Sequence, residues 1–405
     1  MRKTLFSIGL TILLWGVSTA VGQDRFGLTQ CDPCESVCNP CDPCGNGNGG
    51  LFTPFTFGGW IDMGVYTNSH GFNNNGPMYT GSKRRTDFVM NQLYLSAEKE
   101  MNTRRGFDWG ARADLVYGAH AGSMQTGDGS FDDGWGLNKH RYAMSAYKLY
   151  GTLGYKDLSV KVGKFGTPIG WESSASKNNF FYSHSYCYWI EPATHMGILT
   201  DYHLTKDLTV SAGWVTGMDS SFANPNNNRG VLAGLEYALA DNATMYYWFS
   251  SGKQHDDGAE DYFMQSLCFE WELTKRFTYV LQYNLRNDNF DAAPRESSYG
   301  INNHFLFKMN DRWGVGTRFE WLQNNSGLIA SDNGSMPVAF RGDFYQITLG
   351  LNWNPWENVS IRPEVRYDWC EGATPFGQSN KFGDYPATGT RSDQVSGGCG
   401  MVISF

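Results

Sequence analysis

The stretch FDWGARADLVYGAH, residues 107–120, alternates in a way that decides the fold. Phe107, Trp109, Ala111, Ala113, Leu115 and Tyr117 share one parity, while Asp108, Arg112, Asp114 and His120 share the other. Successive side chains of a strand point to opposite faces, so a period of two marks a strand with one dry flank and one wet flank.

Working outward, the same design restarts about sixteen times between residues 55 and 405. Leu158, Val160 and Val162 oppose Ser159 and Lys161; Leu267, Phe269 and Trp271 oppose Glu270 and Glu272. Trp313, Val315, Phe319 and Trp321 oppose Arg318 and Glu320. Val359, Ile361, Val365, Tyr367 and Trp369 oppose Arg362, Glu364, Arg366 and Asp368. The expected strands are 55–67, 88–101, 107–119, 143–154, 158–165, 194–204, 208–217, 230–239, 243–252, 262–273, 277–286, 298–309, 312–322, 342–353, 358–369 and 392–405. Most lie near the roughly 9–11 residues that a tilted strand needs to cross a bilayer.

The connections are sorted by length. Tight links such as Lys156-Asp157, Thr205-Lys206-Asp207, Ala240-Asp241-Asn242, Thr274-Lys275-Arg276 and Asn310-Asp311 carry hairpin chemistry. They alternate with long connections rich in Gly, Asn, Ser and Pro, among them 68–87, 120–142, 166–193, 323–341 and 370–391. Short on one side and long on the other is the layout of bacterial membrane barrels. Aromatics gather at both ends: Phe107, Trp271, Phe277, Trp313 and Trp353 near short turns, and Tyr117, Trp214, Trp321 and Trp369 near long loops. Two interfacial girdles look like this. A transmembrane antiparallel up-and-down barrel of about sixteen strands is the expected fold, all-β, over 51–405.

Composition agrees. The 405 residues include 48 Gly and 15% aromatics but only 18% charged residues, against about a quarter in soluble domains. A net charge of −8 with no Lys/Arg cluster excludes nucleic acid as a partner. Arg2 and Lys3, the short apolar run Leu5 to Val17 and the small residues Ser18-Thr19-Ala20 read as a signal peptide over 1–22. That run is shorter than the roughly 20 residues of a spanning helix. CDPCESVCNPCDPC at 31–44, within a Cys-rich and Gly/Asn-rich leader over 23–50, places five cysteines in the exported segment. Local disulfides, a metal site, and an envelope cross-link through Cys31, Cys34, Cys38, Cys41 or Cys44 all stay open.

A lipid-embedded sheet has to close on itself, and barrels of about this size enclose water. The sequence therefore points to passive diffusion of small hydrophilic solutes or ions across an outer membrane. Arg112, Asp114, Lys161, Glu270, Arg318, Glu320, Arg362, Glu364 and Arg366 are the candidate pore-lining residues, and the acidic excess on the inward face points to mild cation preference. The longest connection, Gly166 to Ala193, is crowded with aromatics and contains Glu172, Lys177, His184 and Glu191. It either folds into the lumen as a constriction or forms an outer cap or subunit contact. In the terminal GGCGMVISF, Met401, Ile403 and Phe405 share the apolar parity, as in the strand that the barrel-assembly machinery recognises.

VGKFGTPIGWE at 162–172, NNFFYSHSY at 178–186 and HMGILTDYHLTKDLTVSAGWVTG at 195–217 resemble the OmpL-like β-barrel porin family. The resemblance implies an outer-membrane barrel of porin type and transfers no ligand or catalytic residue.

Eight scattered histidines without Ser/His spacing give no candidate catalytic site, and no cofactor or metal is expected in the barrel. The rival reading is a structural or adhesion barrel tethered by its cysteine segment. Association into homotrimers stays open, as does a Cys187–Cys370 pairing.

Overall fold

The computed structural model describes residues 55–71, 86–138, 142–254, 259–290, 296–325, 330–331, 338–377 and 390–405. The expected signal peptide and cysteine-rich leader lie outside the described residues.

Sixteen long strands follow one another: β1 (Thr56–Asn68), β2 (Phe88–Lys99), β3 (Phe107–Gly118), β4 (Tyr142–Tyr155), β5 (Leu158–Gly166), β6 (Thr194–His203), β7 (Leu208–Val215) and β8 (Arg229–Ala240), then β9 (Ala243–Lys253), β10 (Ala259–Thr274), β11 (Phe277–Phe290), β12 (Glu296–Lys308), β13 (Trp313–Asn324), β14 (Gly342–Trp356), β15 (Val359–Glu371) and β16 (Asp393–Ser404). Each pairs antiparallel with its chain neighbours. The ring closes where β1 pairs β16, with Ile61 opposite Ile403 and Met63 opposite Met401. Phe405 extends that seam: its N–H donates to the Gly59 carbonyl at 2.9 Å, and Gly59 N–H donates back at 3.0 Å. Closure leaves no unpaired edge, the condition for standing in lipid.

The barrel is dry outside and polar within. Phe319, Leu349 and Val365 are 41%, 57% and 58% exposed, whereas the alternating Arg318, Glu320 and Asp368 are fully buried. Near the short turns Trp313 stacks on Trp353 at 5.4 Å; near the long loops Tyr345 stacks on Trp369 at 5.0 Å. These pairs suit the two water–lipid boundaries.

Short turns are built by their own side chains. Thr205 Oγ1 accepts from Asp207 N–H (3.2 Å) and Leu208 N–H (3.0 Å), and Asn310 Oδ1 accepts from Arg312 N–H (2.9 Å) and Trp313 N–H (3.1 Å). Such local bonds satisfy the backbone where the ladder reverses. On the opposite side, the β3–β4 loop is tied to the β7–β8 loop: Gly127 N–H donates to the Asp219 carbonyl, and Ser221 N–H to Asp128 Oδ2 at 2.6 Å. Cys187 and Cys370 are both buried free thiols, so the pairing left open above does not form.

Candidate functional site: the inward loop and the passage beside it

The β5–β6 connection, residues 167–193, turns into the barrel. Thr167 N–H donates to the Ala193 carbonyl at 3.0 Å and pinches the loop at its base. Within it lie a 3-10 turn, Ser176–Asn178, and one helical turn, Tyr186–Trp189. Ser185 caps that turn, accepting from Tyr188 N–H at 3.1 Å. Asn179 brackets Ser173 from both sides of its peptide, at 2.8 and 2.6 Å. A segment without ladder partners needs such local bonds if it is to be buried.

The wall supplies the rest. Glu320 accepts from the amides of Tyr186 (2.7 Å) and Cys187 (2.5 Å). Glu364 accepts from Tyr182 N–H at 2.8 Å, Ser183 N–H at 3.2 Å and the Tyr66 hydroxyl at 2.9 Å. Arg362 donates to the Ser176 and Asn179 carbonyls at 2.7 and 3.0 Å, and Arg366 to the His184 carbonyl at 2.6 Å. Arg318 reaches Glu172 Oε1 and the Ser183 carbonyl at 2.6 and 2.7 Å. Glu270 accepts from Trp171 Nε1 at 3.0 Å, and Glu191 from Asn284 Nδ2 at 2.6 Å. Charged groups placed in this way survive because each meets an opposite charge or a hydrogen-bonding partner.

Room for the loop comes from glycines on the wet flank. A Cβ at Gly316 would sit 2.5 Å from the Phe180 ring and at Gly350 2.8 Å from Phe181, and one at Gly400 would run into the Tyr182 ring. The loop's aromatics fill these sockets.

Two loop-borne carboxylates are electrostatically distinct. Burial opposes ionisation of Glu172, but Arg318 and His184 outweigh it and hold the carboxyl well below the usual carboxylate range. Asp219 accepts from the amides of Ala193 and Thr194 at the loop's exit, and burial pushes it up to about 6.

Of the candidate pore-lining residues, Glu270, Arg318, Glu320, Arg362, Glu364 and Arg366 therefore touch the loop. Arg112 and Asp114 lie away from it, bonded to each other at 2.9 Å. Lys161 stands on the β5 wall, its Nζ 5.3 Å from the Tyr150 ring. Among the loop candidates, Glu172 and Glu191 are anchors, while His184 stacks on Tyr188 at 3.9 Å. Lys177 is exposed at the loop's far tip, lining a space shared with Asn354, Glu357 and Asn358 at the short-turn end. Met401, Ile403 and Phe405 lie on the β1–β16 seam.

Because the loop leans on β1, β2 and β10–β16, space is left along β4 and β5. One cleft is lined by Lys148, Phe165, Thr167, Pro168 and Trp248. A second is lined by Glu98, Glu100, Met101 and Asp201. Tyr150 and Lys161 line both.

A closed sixteen-strand barrel with a lumen narrowed by an inward loop is the architecture of outer-membrane porins. Residues 54–405 match the family model described as beta-barrel porin-2, OmpL-like, and the chain belongs to that family. It is an outer-membrane channel protein of the passive-diffusion class. The fold is similar to the anion-selective porin from Comamonas acidovorans (TM-score 0.57, 11% identity, covering 87% of this chain and 99% of that one). It is also similar to Pseudomonas putida OprB (TM-score 0.56, 13% identity, 87% and 94% covered) and to the outer membrane channel DcaP of Acinetobacter baumannii (TM-score 0.52, 10% identity, 87% and 97% covered). Among curated proteins, none matches the sequence.

Proposed function

We propose that small hydrophilic solutes cross through the passage between the inward loop and the β4–β5 wall, with the loop as constriction. One observation carries this reading: Tyr150 and Lys161 border both clefts, one beside Thr167 at the loop base and the other beside Met101 at the short-turn end. Arg112 and Asp114 stand directly beside this wall, paired in register with Tyr150 and Lys148. The other six inward charges act as struts that hold the loop. No catalytic step enters this reading.

Assembly belongs to the same proposal. Met401, Ile403 and Phe405 serve as the terminal signal for the assembly machinery, and the cysteines at 31–44 are available for local disulfides, a metal or an envelope cross-link. Trimer formation is compatible with the barrel, and one structure of similar fold, OmpT of Vibrio cholerae, is described in a trimer form.

Liposome swelling tests the route. Proteoliposomes are expected to swell in pentoses and small amino acids and to exclude a trisaccharide. An absence of swelling even in the smallest solute overturns it.

A further inference from the structure

We infer that the short-turn end of the barrel carries a binding site for a small neutral polyol, of the size and chemistry of a monosaccharide. The site is a recess between the tip of the inward loop and the inner face of β14–β16. It holds about 210 Å³. One water needs about 10–15 Å³ of such space, so there is room for a sugar ring. The recess shares no lining residue with the clefts along β4 and β5, and it stands whether or not solutes follow that wall.

Asn352 and Asn354 of β14, Ser360 of β15 and Ser404 of β16 line the recess, and Asn178 joins them from the loop tip. The strand residues share the inward parity of Gly350, Arg362 and Gly400. Groups carried on strands are held more precisely than groups on loops. Among the described residues, the side chains of these four and of Asn178 make no hydrogen bond to protein. Their neighbours are already engaged: Asn179 brackets Ser173, and Asn358 Nδ2 donates to the Ser404 carbonyl at 3.2 Å. Two groups withdrawn from water are left wanting, since Asn352 Oδ1 accepts from no protein donor and Arg362 Nε finds no protein acceptor. Such groups are costly to leave unpaired, and a hydroxyl, donor and acceptor at once, suits both.

Charge in the recess is balanced. Arg362 Nη2 lies 3.5 Å from Asp62 Oδ2, and the exposed Lys177 shares the recess with the exposed Glu357. An ion of either sign therefore gains little, whereas amides and hydroxyls pair with sugar hydroxyls in either orientation. Phe180, Val359 and Val402 add an apolar patch for the C–H face of the ring.

Equilibrium dialysis of the detergent-solubilised barrel against labelled glucose tests the site. The measurement needs no conduction, so a silent bilayer would overturn the route proposed above and leave the site standing. Saturable binding of glucose is expected, with gluconate and glucosamine each bound several-fold more weakly. Asn352→Ala and Ser360→Ala, on neighbouring strands, should each weaken glucose several-fold, and together about tenfold. Asn178→Ala leaves every strand intact and should also weaken it several-fold. Far-ultraviolet spectra matching the native one separate lost contacts from misfolding. No saturable binding by the native chain, binding unchanged in the double variant or in Asn178→Ala, or tighter binding of gluconate or glucosamine than of glucose overturns the inference.

Discussion

Glu172, on a loop that has left the sheet, meets Arg318 of β13 at 2.6 Å, and the two side chains are 3% and 0% exposed. The same carboxylate takes the amide and hydroxyl of Ser185 at 2.7 and 2.8 Å. One buried acid therefore ties the loop to the wall and folds the loop upon itself.

Removing one member of a buried pair is worse than removing both, because the survivor stays charged without its partner. Glu172→Gln is expected to cost about 3–5 kcal/mol of loop anchoring. In recordings the variant should show noisier, larger openings than the native chain. Currents identical to the native ones would mean that the pair does not hold the loop.

Acid should act on the two loop carboxylates with opposite sign. Glu172 has a depressed value, so its contribution is present above the unfolded carboxyl value of about 4.3 and is lost as pH falls through the folded one. Asp219, raised to about 6, runs the other way: its contribution is present below the ordinary value of 3.8 and lost as pH rises through about 6. Between pH 7 and pH 4.5 the native chain should therefore gain stability relative to Asp219→Asn. Unfolding midpoints of the two proteins at both pH values check this, and parallel pH profiles would refute it.

The sockets under the aromatics admit no side chain. Gly316→Leu or Gly350→Leu overpacks against Phe180 or Phe181, at about 1–3 kcal/mol each. The barrel should still form, but with the loop displaced and conductance increased. Unchanged conductance would show that the rings do not sit there.

The strands were legible because hydrocarbon and water impose a strict period of two. Their ends were less so. β11 runs to Phe290, past the expected end at 286, because Asn287 and Asn289 still pair with Phe263 and Asp261 of β10. Those residues lie at the long-loop end, where alternation no longer carries an apolar signal. The site was half legible. The aromatic content of 166–193 marked a segment that needed burial, yet Glu320 and Glu364 read as pore charges, since nothing in their spacing shows that distant amides will claim them. One signal was present and unused. Gly64, Gly316, Gly350 and Gly400 fall on the wet flank, where only a close neighbour explains the missing side chain.

On the outer flank, Leu349 lies opposite Val365 in mid-strand and is 57% exposed. Leu349→Arg is expected to destabilise the barrel by about 2–4 kcal/mol, the cost of a cation near the bilayer midplane. Denaturant titration in lipid vesicles measures it. A neutral effect would place this flank out of lipid.

The most direct test is single-channel conductance of the native barrel beside a variant in which 174–189 is replaced by a short Gly-Ser linker. Small discrete steps are expected from the native protein, and steps several-fold larger from the variant, because the strands already close around a wide lumen and the loop narrows it. Equal steps from both would contradict the constriction, and no steps from either would contradict the channel.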